Sequence, residues 1–250
     1  MGARVAALGG VLQQGLRAAV DLVWPRQCQA CGETRFCGRF AFLCDACFSS
    51  APPLEPPWCE RCGLPFAGLA GQGAECPNCR GAELEFDQAR SAVRFRGVVR
   101  RAIHGLKYQG ELFWIPALEA WFLEGAARHL AGETVEVVVP VPLHPVRERQ
   151  RGLNQAAVLA RALARARGLR LEARALARVR PTETQTHLDR AERRENLKGA
   201  FRARRPDAVA GKRVLLVDDV LTTGSTLSEC AGVLKEAGAA AVRVLTLARG

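Results

Sequence analysis

Long apolar runs, lysine, tyrosine and methionine are scarce in this sequence, and the shortages narrow what the chain can be. No uninterrupted apolar stretch approaches the roughly 20 residues that a membrane span requires. The apolar opening, MGARVAALGGVLQQGLRAAVDLVW, is broken by Gln13, Gln14, Arg17 and Asp21. It also lacks the layout of a secretory signal. No transmembrane segment is therefore expected, the cytoplasm is the expected location, and disulfides would meet a reducing compartment. What remains in the opening is Val11, Leu12, Leu16, Val20 and Val23 at helical spacing, an amphipathic helix within residues 1–27. Only four of the 36 basic residues are lysine, and the net charge is +11. That balance suits a polyanion partner, through release of counterions from a phosphate backbone, and suits equally an arginine-rich composition with no such role. Apolar content of 48% argues against disorder, and 250 residues suffice for one large or two small domains.

The most informative stretch is residues 214–226, VLLVDDVLTTGST. Val214, Leu215, Leu216 and Val217 are too few for a helix and suit a strand buried on both faces. Asp218 and Asp219 follow at once. Then come Thr222, Thr223, Gly224, Ser225 and Thr226, and a helix marked by Leu227, Cys230, Ala231 and Leu234 that stops at Gly238. A loop entering a helix in this way offers an anion backbone N–H groups and the positive end of the macrodipole. Two carboxylates at the end of a parallel strand repel phosphate but accept hydrogen bonds from a diol or help hold a divalent cation. Phosphate on one side and sugar hydroxyls on the other describe a ribose phosphate. A nucleoside-triphosphate loop fits less well, because no lysine follows Gly224.

This stretch resembles, along its whole length, the thirteen-residue phosphoribosyl-pyrophosphate motif of type I phosphoribosyltransferases. The resemblance implies that Asp218 and Asp219 hold the ribose hydroxyls and that Thr223, Gly224, Ser225 and Thr226 hold the 5'-phosphate, with magnesium accompanying the diphosphate. Thr222 opens the loop and departs from the pattern of purine-salvage members, which carry a base-handling aspartate there. A purine-salvage role is accordingly not implied.

Cysteines fall at 28 and 31, 44 and 47, 59 and 62, and 76 and 79, each pair a C-x2-C knuckle. A C-x2-C turn lets two thiolates converge on one ion, and two such turns complete the tetrahedral shell of structural zinc. Two zinc ions are expected, one held by Cys28, Cys31, Cys44 and Cys47 and one by Cys59, Cys62, Cys76 and Cys79, in a double zinc ribbon over residues 28–81. Pairing in sequence order is preferred over a crossed arrangement. Cys37 is not needed as a ligand, and Cys230 reads as a small core residue. Phe36, Phe40, Phe42, Phe48, Trp58 and Phe66 crowd this segment. Packing inside a small module is their first reading; stacking of single-stranded bases, with Arg26, Arg35, Arg39 and Arg61 along the backbone, is the alternative.

From residue 88 to 250 the pattern is α/β, expected to build a mostly parallel sheet flanked by helices. Strands are expected over residues 89–95 and 135–141, helices over 98–108 and 113–130, and a core role for Trp114, Trp121 and Phe122. After the second strand come prolines, a basic turn with Arg147, Arg149 and Arg151, and a long helix. Residues 170–178 alternate as an edge strand, residues 180–201 are polar and charged, and residues 242–247 close the sheet.

LKYQG at 106–110, VPVPLHP at 139–145, RGLNQ at 151–155 and RRENLKGAF at 193–201 join the cysteine pattern and the 214–226 motif. Together they resemble the ComF/GntX group of bacterial phosphoribosyltransferase-like proteins over nearly the whole chain. The resemblance implies that Pro142, Leu143, His144 and Arg151 lie near the diphosphate. It also implies that the segment before residue 214 forms a hood, where Arg190, Arg193, Arg194 or Lys198 covers the diphosphate and Asn196 reads a polar group. For ComF members it implies a cytoplasmic role in handling incoming single-stranded DNA during natural transformation, alongside other competence proteins. Two functions follow as expectations: a DNA-uptake factor that binds phosphoribosyl pyrophosphate or a related ribose phosphate, and a metabolic phosphoribosyltransferase acting on a nitrogen nucleophile. A glutamine-dependent amidotransferase is disfavoured, since position 2 is Gly2 and not cysteine.

Overall fold

The computed structural model describes residues 27–34, 36, 38–66, 76–82, 84–181 and 195–250. The N-terminal helix expectation, Arg26, Arg35, Cys37 and the hood residues Arg190, Arg193 and Arg194 lie outside the described residues. The chain divides into two compact units, Met1–Ser50 and Ala51–Gly250. The two cysteine quartets therefore belong to different units.

In the first unit, Cys28, Cys31, Cys44 and Cys47 bring their sulfurs within 4.8 Å of one another. Cys44 caps helix α1 (Asp45–Ser49), and its Sγ accepts from the Cys47 N–H at 3.4 Å. The backbone thus points donors at the thiolates, which favours their charged form. Phe48 is buried against Phe40, with ring centroids 4.9 Å apart, and the Arg39 guanidinium sits 4.4 Å from the Phe48 centroid. These rings pack inside the module, while Phe42 remains 40% exposed.

The second unit is built on a parallel sheet of β1 (Gln88–Arg94), β2 (Val137–Pro140), β3 (Arg170–Leu171), β6 (Arg213–Leu221) and β7 (Ala241–Arg249), in the order β1-β7-β6-β2-β3. Val214, Leu215, Leu216 and Val217 are at most 2% exposed, as expected of a strand covered on both faces. The strand runs on to Leu221, so the acid pair lies inside β6 and not after it. The last strand, expected to close the sheet, sits between β1 and β6.

Helices α2 (Gly97–His104), α3 (Ile115–His129), α4 (Pro145–Arg151) and α5 (Gln155–Arg167) precede β3, and α6 (Ser225–Glu236) joins β6 to β7. Helices α3 and α5 cover one face, with Trp121, Phe122 and Leu163 buried. Helix α6 covers the other, where Leu227, Cys230, Ala231 and Leu234 meet Val214, Leu216, Val242 and Val244. The long helix expected over 98–108 breaks at His104 into a π-helical turn, Gly105–Gln109. A side chain at Gly105 would collide with the Glu111 carboxylate and the Trp114 indole, so this turn needs glycine.

The basic turn is in fact helix α4, because His144 caps it, Pro145 supplies a compatible first residue and Gly152 ends it at φ +74°. The expected edge strand over 170–178 splits in two. The Ala175 N–H closes a turn on the Glu172 carbonyl at 3.1 Å, leaving β3 at the sheet edge and β4 (Leu176–Arg178) antiparallel to β5 (Phe201–Ala203). A period-2 pattern cannot register such a turn.

The second quartet, Cys59, Cys62, Cys76 and Cys79, also holds its sulfurs within 4.8 Å. It is joined to the free side of edge strand β1, where the Ala89 N–H donates to the Arg61 carbonyl at 2.7 Å and Pro53 bridges Val93. Cys59, Cys62 and Cys76 share one core with Leu84, Phe86 and the α6 face of the sheet. Burial first, and then the neighbouring sulfurs, push the thiols of Cys47 and Cys79 up. Four thiols this close resist joint ionisation until a dication is bound, and the all-sulfur donor sets fit two structural zinc ions.

Two outcomes follow. Elemental analysis is expected to find about two zinc ions per chain, and Cys62→Ser to lower that count toward one with a fall in melting temperature; a metal-free, equally stable protein would contradict the zinc sites. Gly125 lies where an added Cβ would stand 2.2 Å from the Ala92 Cβ. Gly125→Ala is therefore expected to cost about 1–3 kcal/mol in denaturant unfolding, by pushing α3 off β1.

Candidate functional site

Strands β2 and β6 lie side by side although 73 positions separate Val137 from Ala210, just ahead of β6. Their successors leave in opposite directions, β2 through α4 and α5 to β3, β6 through α6 to β7. A crevice opens at the carboxyl ends of parallel strands where the order reverses in this way. Here it is a cleft of about 920 Å³, bordered by Pro142, Leu143, Arg147, Arg151, Arg178, Lys107, Tyr108, the acid pair and residues 222–226. Pro140 pairs with Val217, and the Val141 N–H donates to the Val217 carbonyl at 2.9 Å, so both loops start from one level of the sheet.

Successive residues of a strand face opposite sides. Asp218 falls on the α6 side and Asp219 on the side of α2 and α5, and both reach the cleft. Asp219 is buried and pairs with the Lys107 ammonium at 2.6 Å. Asp218 keeps some surface toward the cleft, and its Oδ1 accepts the Asp219 N–H at 2.9 Å. Burial first, then the charge of Asp219, push the Asp218 carboxyl up to about 7, while Lys107 pulls it back. A sugar diol donating to this carboxylate would favour its charged form.

The expected phosphate loop is a turn into α6. Gly224 takes φ +89°, a left-handed conformation that a side chain rarely adopts, and its carbonyl accepts the Ser228 N–H at 2.7 Å. Thr223 Oγ1 and Ser225 Oγ lie 3.0 Å apart. The first-turn N–H groups of α6 lack intrahelical acceptors, which is the requirement for an anion seat. The loop is held from below. Buried Arg249 donates from Nη1 to the Leu221 carbonyl at 2.8 Å and also to the Thr222 carbonyl, and it lies against the sulfurs of Cys62, Cys76 and Cys79. Asn78, in the last cysteine knuckle, donates to the Thr223 carbonyl at 3.4 Å.

Three arginines border the cleft. Arg147 and Arg151 come from α4, and Arg178 comes from β4, where its guanidinium lies 5.4 Å from the Phe201 centroid. Burial, and then Arg147, pull the Arg178 pKa down, a crowding of positive charge that an anion would relieve. Asn154 fixes this wall by donating to the Val141 carbonyl at 3.0 Å while capping α5. Gln155, 5% exposed, accepts from Arg151 at 3.4 Å, and its Nε2 has no acceptor among the described residues.

Of the expected site residues, Asp218, Asp219, Thr222, Thr223, Gly224, Ser225, Thr226, Pro142, Leu143 and Arg151 border this one cleft. His144 does not: its Nδ1 accepts the Val146 N–H at 3.4 Å as the cap of α4. Arg194 lies outside the described residues, and Lys198 borders a separate surface hollow beside α6. Lys107, Tyr108, Arg178 and Arg249 were not singled out from sequence. Their only signal was the LKYQG string, whose lysine carries no spacing rule that ties it to a carboxylate 112 positions later.

Residues 19–80 match the double zinc ribbon domain family and residues 149–250 the phosphoribosyl transferase domain family. The chain is 34% identical over 210 residues to DNA utilization protein YhgH of Salmonella typhimurium, covering 83% of this chain and 90% of that one. It is 34% identical over 212 residues to competence protein F of Haemophilus influenzae, with the same coverage. Against competence protein ComFC of Bacillus subtilis it is 28% identical over 214 residues, 83% of this chain and 84% of that one. The likeness extends over most of each relative, so it spans both halves of the architecture and not one borrowed module. The chain belongs to the ComF/GntX family, in which a double zinc ribbon is joined to a phosphoribosyltransferase domain.

Proposed function

We propose that the cleft binds phosphoribosyl pyrophosphate or a related ribose phosphate, and that the protein uses it in the cytoplasm to handle single-stranded DNA during natural competence. One observation carries the reading: an acid pair, a helix-entry loop and three arginines converge on a single cleft at the β2/β6 crossing. In this reading Asp218 and Asp219 accept from the sugar hydroxyls, residues 222–226 wrap the 5'-phosphate, and Arg147, Arg151 and Arg178 face the diphosphate. Lys107 neutralises Asp219, so two carboxylates stand beside an anionic ligand with less repulsion than two free charges would exert. The acid pair and diphosphate oxygens make an all-oxygen donor set of the kind magnesium accepts, and the ion would neutralise diphosphate charge.

The DNA role takes support from the relatives' names, which speak of competence and DNA utilization. It takes further support from the net charge of +11. The partners in this reading are a single strand and other competence proteins.

The arginine wall also favours a second reading, transfer of the phosphoribosyl group to a nitrogen nucleophile. Positive charge grows at the anomeric carbon as its bond to diphosphate breaks, so such a reaction needs anion clamps more than a protein nucleophile. The clamps are present, and no protein nucleophile is required of this chain.

The paired substitution Asp218→Asn with Asp219→Asn removes two charge-assisted hydrogen bonds. It is expected to weaken phosphoribosyl pyrophosphate binding about 100-fold or more in calorimetry, with zinc content and melting behaviour preserved. Undiminished binding would remove the acid pair from the site. Oligonucleotide affinity is expected to fall linearly in log–log form with added salt, with a slope of about −0.7 per neutralised phosphate; binding that ignores salt would favour the transferase reading.

A further inference from the structure

The wall of the cleft away from the arginine-bearing β4 carries rings that a ribose phosphate does not use. Tyr108, the chain's single tyrosine, is 68% exposed and borders the cleft beside Lys107. His104 meets Tyr108 at 5.4 Å with an interplanar angle of 68°, and Phe95 lies 5.8 Å from His104. The Arg151 guanidinium stands 5.6 Å from the Tyr108 centroid. Phe95 leaves the carboxyl end of β1, where its N–H donates to the Arg249 carbonyl at 2.8 Å, so the rings stand at the same end of the sheet as the phosphate loop.

We propose that Tyr108, with His104 and Phe95 behind it and Arg151 over it, is a seat for a nucleobase whose sugar and phosphate occupy the same cleft.

An exposed lone tyrosine held on a constrained turn is costly as a surface residue and useful as a platform. The turn is fixed: Gly105 cannot carry a side chain without striking Glu111 and Trp114, and its carbonyl accepts the Glu111 N–H at 3.2 Å. A π-helical turn in place of an α-helical one is a frequent mark of functional sites. This one brings consecutive residues, Lys107 and Tyr108, to one cleft.

The charge around the rings selects the occupant. Arg100, Lys107, Arg147 and Arg151 border the same space, which repels a cation and favours a flat π system attached to an anion. Burial first, then Arg100 and Lys107, hold the His104 pKa below its usual value, so at neutral pH the imidazole is an uncharged stacking partner. A base between Arg151 and Tyr108 would need about 7 Å, two contacts of roughly 3.5 Å each. The observed 5.6 Å is too narrow. The base therefore stacks on the free face of the tyrosine ring, with the guanidinium on the other. Such a seat is tolerant of sequence, because every base has a π face.

The seat relies on the ribose-phosphate reading only for the position of the sugar, and the experiment separates the two. Zinc-loaded full-length protein is titrated with ribose 5-phosphate, adenosine 5'-monophosphate and a short oligothymidylate, for wild type, Tyr108→Ala and Tyr108→Phe. Tyr108→Ala is expected to weaken a base-bearing probe about 5- to 100-fold, with ribose 5-phosphate unchanged and Tyr108→Phe close to wild type, because stacking needs the ring and not the hydroxyl. A loss seen with the mononucleotide identifies a free nucleotide as occupant, and a loss confined to the oligothymidylate identifies a strand. Equal affinity of wild type and Tyr108→Ala for both base-bearing probes, or no binding of either by wild type, overturns the proposal. Wild type that binds the base-bearing probes through Tyr108 but ignores ribose 5-phosphate leaves the seat standing and removes the ribose-phosphate reading instead. Unchanged zinc content and melting temperature in Tyr108→Ala show that the loss is not one of folding.

Discussion

The buried Arg249 guanidinium is the contact on which the ligand loop depends. It donates to the carbonyls of Leu221 and Thr222 at the point where β6 gives way to the loop, and it lies against three sulfurs of the second quartet. A cation this deep is costly unless opposite charge and acceptors surround it. Burial lowers its pKa, and the thiolates of Cys62, Cys76 and Cys79 act in the opposite sense. Zinc-bound thiolate sets carry net negative charge when all four ligands are cysteine, since four charges of −1 meet one of +2. The ribbon thereby supplies the counter-charge that keeps the arginine in place, and the arginine in turn fixes the carbonyls from which the loop is hung. Gly224, with Leu84 and Phe86 at ordinary contact distance, leaves the loop little room to drift.

The cleft above that loop balances charges of both signs. A phosphate seat made only of cations would hold any anion, and one made only of backbone N–H groups would ignore the sugar. Asp218 and Asp219 add acceptors for hydroxyls, and Lys107 limits their repulsion toward phosphate by taking one carboxylate oxygen at 2.6 Å. The arginines stand on separate elements, α4 and β4, so their mutual repulsion is held by the scaffold and released only when an anion enters. Selectivity for a phosphorylated sugar follows from requiring both halves at once.

What could be read from sequence was the chemistry that is local in the chain. Residues 214–226 state a strand, a turn and a helix within thirteen positions, and the C-x2-C knuckles state their own geometry. What escaped was set by contacts between distant residues. Lys107 meets Asp219, Arg249 meets Thr222, and Asn78 meets Thr223 across 145 positions; no periodicity encodes such pairs. The acid pair was expected after the strand because charge ends an apolar run. It lies within the strand because β7 continues to pair with β6 as far as Leu221. His144 was drawn to the diphosphate by its neighbours, whereas its local geometry makes it a helix cap. Residues 170–178 alternate faithfully, yet Glu172 gathers Arg170 at 2.7 Å and Arg205 at 3.2 Å and turns the chain there.

The position of the second quartet also explains why a small metal module is joined so closely to this sheet. A parallel sheet leaves two edges, and an unprotected edge of paired donors and acceptors invites another chain. Edge strand β3 is only two residues long, which blunts its side. Edge strand β1 has seven, and there the knuckle supplies partners: Arg61 takes the Ala89 N–H, Pro52 takes the Arg94 N–H, and the Arg90 side chain reaches the Glu60 carbonyl at 2.8 Å. Gly63 permits this approach, because a side chain there would stand 2.7 Å from the Ala89 carbonyl oxygen. A segment with few apolar residues cannot hold such a shape by packing alone. Thiolates on a metal ion can, and the same ligands that stiffen the edge also face Arg249. Edge protection, core completion and support of the ligand loop are therefore consequences of one coordination site.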